Sequence, residues 1–325
     1  MKFDYQDINL VPRKCSVNSR NECDTSCTLG NHTFKLPIVP ANMECVITPA
    51  MAIEFSKRGY FYILHRFISS NEIIHFVRYM NENRLISSIS LGVNDDSKQL
   101  VEDLITEGLT VDFITVDIAH GHSIKMEKML KFLKKRMPES FIIAGNISTE
   151  DAVYDLEEWG ADAIKVGIGP GSACTTYPST GFGSRNCQAS IVQECSNVSN
   201  IPIIADGGIS NPGDISKALV LGASMVMIGG MLSGFTDSPG DTVEKENGLY
   251  KQFWGSASSY QSGKSSRIEG KLNLIPLKNR SIFDELVYIE ECLQSSISYA
   301  GGKDLSAFLQ VDWIWSKISI LTYYK

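Results

Sequence analysis

From Leu36 onward, short apolar runs rich in Val and Ile alternate with stretches whose apolar residues recur at helical spacing. A strand buried on both faces reads as a continuous apolar run, and a helix covering a sheet shows one apolar stripe. The alternation therefore predicts a parallel sheet with covering helices. The runs fall at 36–43, 60–66, 86–93, 112–119, 141–147, 163–169, 201–207 and 225–231, eight in all. Helical segments lie between them at 48–58, 70–82, 96–107, 122–136, 149–159, 187–196 and 212–221, and another follows near 281–295. Thr149 ahead of two acidic residues, and Asn211 ahead of Pro212, mark helix starts, because such side chains accept from the unpaired first-turn amides.

Eight strand–helix units at this spacing predict the α/β class and a closed (β/α)8 barrel, the TIM-barrel architecture. A doubly wound open sheet would carry its G-x-G-x-x-G fingerprint early in the chain, where none is found. Barrels run to 325 residues as one unit, so 1–325 reads as a single catalytic domain. Residues 1–35 are an N-terminal extension expected to close the barrel bottom or form a hairpin. Residues 232–325 have room for a loop, a last helix and a tail.

With 43% hydrophobic and 21% charged residues, the composition is that of a globular protein. A net charge of -7 and a pI near 5.4 oppose a broad nucleic-acid footprint, so an anionic substrate must be held locally. No apolar run reaches the roughly 18–20 residues of a membrane span, and the start MKFDYQDINLVPRK lacks the order of a signal peptide, so the chain is expected in the cytoplasm. The eight cysteines are spread along the chain as expected of reduced thiols. Cys23 and Cys27 are four apart, but no second Cys or His pair complements them as a zinc site would require.

Barrel chemistry is built at the C-terminal ends of the strands. The runs here end in Asn42, His65, Arg66, Asp117, Asn146, Gly169, Asp206, Gly207, Gly208, Gly229 and Gly230. Singly, each could be a turn residue; together they mark a site. The segment Gly167-Ile168-Gly169-Pro170-Gly171-Ser172-Ala173-Cys174-Thr175-Thr176 follows the sixth run, and its glycines let backbone groups converge on a small ligand. Cys174 in that loop is a candidate nucleophile if its thiol loses a proton, and Thr176 could relay that proton. The glycine pairs after the seventh and eighth runs lie where barrels commonly hold phosphate, and Asp206 beside them suits ribose hydroxyls. The alternative is that they only make tight turns.

The strings GIGPGSACTT (167–176), ADGGIS (205–210), IGGML (228–232) and DINLVPR (7–13) together are highly specific, and through them the chain resembles the IMP dehydrogenase and GMP reductase superfamily over nearly its whole length. It looks more like the compact bacterial GMP reductases. Helix 70–82 runs straight into the third strand run, where the dehydrogenases carry inserted modules. The flap stretch from Tyr260 to Gly270 lacks their water-activating Arg-Tyr pair, and SSISYAGG at 295–302 is similar to a reductase signature.

The resemblance implies NADPH-dependent reductive deamination of GMP to IMP and ammonia, an oxidoreductase step in purine nucleotide metabolism that proceeds through a thioimidate on Cys174. It implies Thr176 and Glu269 as proton carriers. Nucleotide contacts would come from Asp206, Gly207, Gly208, Gly229, Gly230, Gly255, Ser256 and Gly270. It assigns cofactor contacts to Ser19, Arg20, Arg66, Asp117, Ile118, Ala119, Ile168 and Gly169, and backbone carbonyls of Gly169, Gly171 and Cys174 to a potassium ion. A catalytic loop at 170–186, a flap at 256–275 and a homotetramer are further implications. Tyr177 and Ser266 stand where relatives often have Arg. Open alternatives on the same scaffold are an IMP dehydrogenase, a silent purine-nucleotide sensor and a flavin-dependent oxidoreductase.

Overall fold

The structure, a computed structural model, describes residues 2–263 and 268–316. Seven parallel strands form the central sheet: β1 (Ile38–Pro40), β2 (Ser88–Leu91), β3 (Phe113–Asp117), β4 (Phe141–Ile147), β5 (Ala163–Val166), β6 (Ile203–Asp206) and β7 (Met225–Ile228). Consecutive strands β2 to β7 are neighbours, and β7 pairs in turn with β1, with Val226 opposite Ile38. The last run thus lies beside the first, as a barrel demands.

The expected strand at 60–66 is reduced to a single bridge between Leu64 and Ile89. Its neighbour's backbone groups are taken by a side chain instead. The buried Tyr62 hydroxyl donates to the Ile86 carbonyl at 2.6 Å and accepts from the Ser88 amide at 3.2 Å, positions that a longer ladder would occupy. With this segment in the place of an eighth strand, the fold is the α/β barrel of the sequence reading.

The covering helices begin where capping residues stand. Thr149 accepts from the Ala152 amide ahead of Glu150–Glu158, and Asn211 accepts from the Asp214 amide ahead of Pro212–Val220. The last helix extends beyond its expected end, over Ile282–Ala300, and stops at Gly301 in the left-handed conformation.

Residues Cys27–Leu29 and His32–Phe34 form the N-terminal hairpin. Phe34 packs against Phe61 and Phe113, and Phe113 against Phe141, with ring centroids 4.9, 6.0 and 5.4 Å apart. Phe113 and Phe141 open β3 and β4, so these rings close the N-terminal end of the barrel and leave the other end for chemistry.

The region after β7 carries more structure than the sequence reading allowed. Strands β8 (Thr242–Lys245), β9 (Gly248–Trp254) and β10 (Leu272–Pro276) make an antiparallel sheet, which spans part of the expected flap. The expected catalytic loop contains the short helix Thr176–Thr180.

Candidate active site

A cavity of about 710 Å³, within the usual range for small-molecule sites, opens at the C-terminal end of the strands. It gathers Cys174, Thr176, Glu269, Asp206, Gly207, Gly208, Gly229, Gly230, Gly255 and Ser256, together with Arg66, Asp117, Ile118, Ala119, Ile168, Gly169 and Gly171. Gly270 sits in the expected flap, bridged to Cys174 on one side and Ser258 on the other.

Two loops distant in sequence are zipped together beside this cavity. The Thr175 amide donates to the Glu269 carbonyl at 2.8 Å, and the Lys271 amide to the Ala173 carbonyl at 2.9 Å. On the flap's other side the Glu269 amide donates to Ala257 at 3.0 Å, and the Gly255 amide to Lys271 at 3.2 Å. Gly270 makes this three-ply packing possible, because a Cβ there would stand 2.9 Å from the Ser258 backbone nitrogen. These bonds fix where the Glu269 side chain emerges.

The consequence is a continuous hydrogen-bonded run. The Cys174 thiol donates to the Thr176 hydroxyl at 3.2 Å, and that hydroxyl donates to Glu269 Oε2 at 2.6 Å, a length typical of a charge-assisted bond. Thr176 is buried and Cys174 half-buried, so solvent competes little for the threonine while the sulfur remains reachable from the cavity. Burial pushes the thiols of Cys27, Cys45 and Cys195 up to about 12, so they stay protonated and unreactive.

The floor of the cavity is a polar layer. Lys165 lies 2.7 Å from Asp117 Oδ1 and 3.1 Å from Asp206 Oδ2. Asn42 donates to Asp117 Oδ2 at 3.1 Å, and Asn146 donates to Asp206 Oδ2 at 2.7 Å and to the Gly167 carbonyl at 2.6 Å. Burial would push Asp117 up, but the charge and hydrogen bond of Lys165, with help from Arg66 and Asn42, outweigh it and hold the carboxyl below its ordinary value. Asn146 Oδ1 is buried and has no partner among the described residues, which leaves an acceptor for a ligand on the cavity wall.

The sequence reading had Asn42 and Asn146 only as strand ends and passed over Lys165. A lysine inside the apolar run Ala163–Val166 was its signal, since a parallel barrel strand has no solvent face to offer an ammonium. Ser19 and Arg20 do not line the cavity. Ser19 caps the short helix Arg20–Glu22, and Arg20 donates to Ser295 Oγ at 3.1 Å and lies 5.5 Å from the Tyr299 ring, on the last helix. Tyr177 is exposed, whereas Ser266 lies outside the described residues.

A family model described as the IMP dehydrogenase / GMP reductase domain matches residues 2–314. Among curated proteins, a GMP reductase of Bacillus subtilis (strain 168) is 51% identical over 318 residues, covering 98% of this chain and 97% of its own length. GMP reductases of Lactococcus lactis subsp. cremoris (strain SK11) and of Bacillus anthracis are each 50% identical over 98% of this chain, covering 96% and 97% of theirs.

Proposed function

The chain belongs to the IMP dehydrogenase / GMP reductase family, and from that premise we propose that it is a GMP reductase, converting GMP to IMP and ammonia at the expense of NADPH. The observation that carries the reading is the hydrogen-bonded run from Cys174 through Thr176 to Glu269 on the cavity wall.

The thiol proton passes through Thr176 to Glu269 as the sulfur bonds to C2 of the guanine ring. The acid then formed at Glu269 returns that proton through Thr176 to the exocyclic amine, and ammonia leaves with a thioimidate on Cys174. NADPH, when bound, supplies the hydride that C2 gains. The C2–sulfur bond breaks as IMP forms, and the thiolate regains a proton from solvent. Each half is easier than direct displacement of an amine by hydride. One carboxylate serves as base and then acid because the path to it does not change.

Asp206 and the amides of Gly207, Gly208, Gly229 and Gly230 suit the ribose and phosphate, since hydrogen-bonded carboxylates accept from hydroxyls and glycine turns present their amides. Gly255 and Ser256 would add to the ribose and phosphate contacts, and Gly270 to those of the nucleotide. Arg66, Asp117, Ile118, Ala119, Ile168 and Gly169, lining the same cavity, would hold the cofactor, with Arg66 matched to its extra phosphate. Ser19 and Arg20 fit the cofactor only if a neighbouring copy presents them. A homotetramer in which subunits complete each other's sites would present them.

The backbone carbonyls of Gly169, Gly171 and Cys174 are hard oxygen donors of the kind potassium takes, and the left-handed Gly169 lets the loop curl toward such an ion. We place the activity in the cytoplasm; no helix among the described residues is long and apolar enough to cross a membrane.

The test is NADPH absorbance with GMP, beside IMP with NAD and a visible spectrum of the purified protein. NADPH loss that depends on GMP supports the reductase. NADH formed only from IMP and NAD, a bound flavin, or GMP binding without turnover would each contradict it.

A further inference from the structure

Lys165 is among the least accessible charged groups of the barrel, with 2% of its side chain exposed. Its ammonium stands between two carboxylates from different strands, Asp117 of β3 and Asp206 of β6, and Met227 Sδ lies 3.7 Å away. Asn42 holds the other oxygen of Asp117, and Asn146 shares Asp206 Oδ2 with the ammonium. The layer is thus assembled around one cation, and it joins the wall assigned to the cofactor with the wall assigned to the nucleotide.

We infer that Lys165 is a positioning residue that couples the two binding subsites, holding Asp117 and Asp206 together and aimed so that each can serve its own ligand. The inference rests on the subsite assignments of the proposed function.

Like-charge competition between the two carboxylates sets the role of the ammonium. Two carboxylates that contact the same ammonium are close neighbours, and in this half-buried layer removing it leaves their repulsion uncompensated and favours their sharing a proton. A protonated Asp206 loses the acceptor capacity that a ribose diol needs. Among the described residues, the charges acting on Lys165 are Asp117 and Asp206, and those acting on Asp117 are Lys165 and Arg66, with Asn42, Asn146 and Met227 neutral. Burial works against the charged form of Lys165, but the two carboxylates outweigh it and raise its pKa, so the lysine remains a cation at working pH. A lysine there only for packing would leave ligand affinity unchanged across pH.

The test is a double-mutant cycle on ligand affinity. GMP binding and NADP⁺ binding are measured by calorimetry for the wild type, Lys165→Met, Asp117→Asn and the double variant, with thermal melts to confirm folding. Lys165→Met is expected to weaken GMP binding at least about tenfold near pH 6.5, and by less near pH 8.5 as the shared proton leaves. In the Asp117→Asn background, where no second carboxylate competes, the same change should weaken GMP binding no more than about threefold and without pH dependence. Lys165→Arg, which keeps the charge, should stay near wild type.

Equal losses in both backgrounds, or a loss uniform across pH, would overturn the inference. If Lys165→Met does not fold, Lys165→Gln takes its place in the cycle with the same expected and contrary results. A wild type that binds no GMP would instead overturn the proposed function, so the two failures are distinct.

Discussion

Replacing Thr176 with Val removes the hydroxyl that links Cys174 to Glu269 while nearly preserving the side chain's volume in its buried site. The bond lost to the carboxylate is 2.6 Å long, and no other described hydrogen bond joins the Thr176 and Glu269 side chains. Positioned proton transfer is worth about 10²–10⁴-fold in rate, which is about 3–5 kcal/mol of barrier. Thr176→Val and Glu269→Gln should therefore each lower kcat by about two to four decades. Because both act through one hydrogen-bonded run, their effects should not multiply: the double variant is expected within about threefold of the slower single variant. Thr176→Ser keeps the hydroxyl and should fall less than about tenfold. The assay is the initial rate of NADPH loss at saturating GMP and cofactor, with melting curves to confirm folding. A double variant showing the product of the two single losses, or Thr176→Val at the wild-type rate, would refute the shared path.

Gly270→Ala should drive the flap away from the 255–258 backbone and lower kcat by about 10²-fold, since small misplacements of a catalytic group cost that much, while the melting temperature moves by only a few degrees; a fully active variant would show that the three-ply packing does not position Glu269. His65 is pushed below its ordinary pKa by burial, against the opposing pull of Glu44 and Glu72, and its Nδ1 accepts from the Phe67 amide at 3.1 Å. The folded value lies below the unfolded one. His65 therefore contributes stability above roughly pH 6.5, and that contribution is lost as pH falls through the folded value. Thermal melts of wild type and His65→Gln between about pH 8 and 5 should diverge in acid, and parallel curves would contradict this. Arg20→Ala should raise KM for NADPH about tenfold or more and leave GMP affinity unchanged if a neighbouring copy presents it; an unchanged KM would remove Arg20 from the cofactor site.

The barrel was legible because its signal is periodic and redundant: seven of the eight apolar runs are strands within a few residues of their expected bounds. The eighth, 60–66, was misread for a local reason. The Tyr62 hydroxyl occupies the neighbour's hydrogen-bonding groups, and no hydropathy pattern records that substitution. The β8–β9 hairpin was missed although Asn247-Gly248 signalled its turn, because charged residues interrupt the alternation on both sides. Cys174 and Thr176 stood out as neighbours in one loop, but Glu269 reaches them across 93 residues, by a backbone pairing that spacing cannot reveal. Its place came from resemblance. Lys165 was readable in principle, since an ammonium within an apolar strand implies buried carboxylates; which two became visible only when β3 and β6 met around it.

The most direct test of the account is the rate of NADPH consumption by Cys174→Ala with saturating GMP, at enzyme concentrations that would reveal activity about 10⁴-fold below wild type. The account predicts no detectable consumption from a folded protein that still binds GMP. Consumption near the wild-type rate would contradict it, and would move the chemistry away from Cys174 altogether.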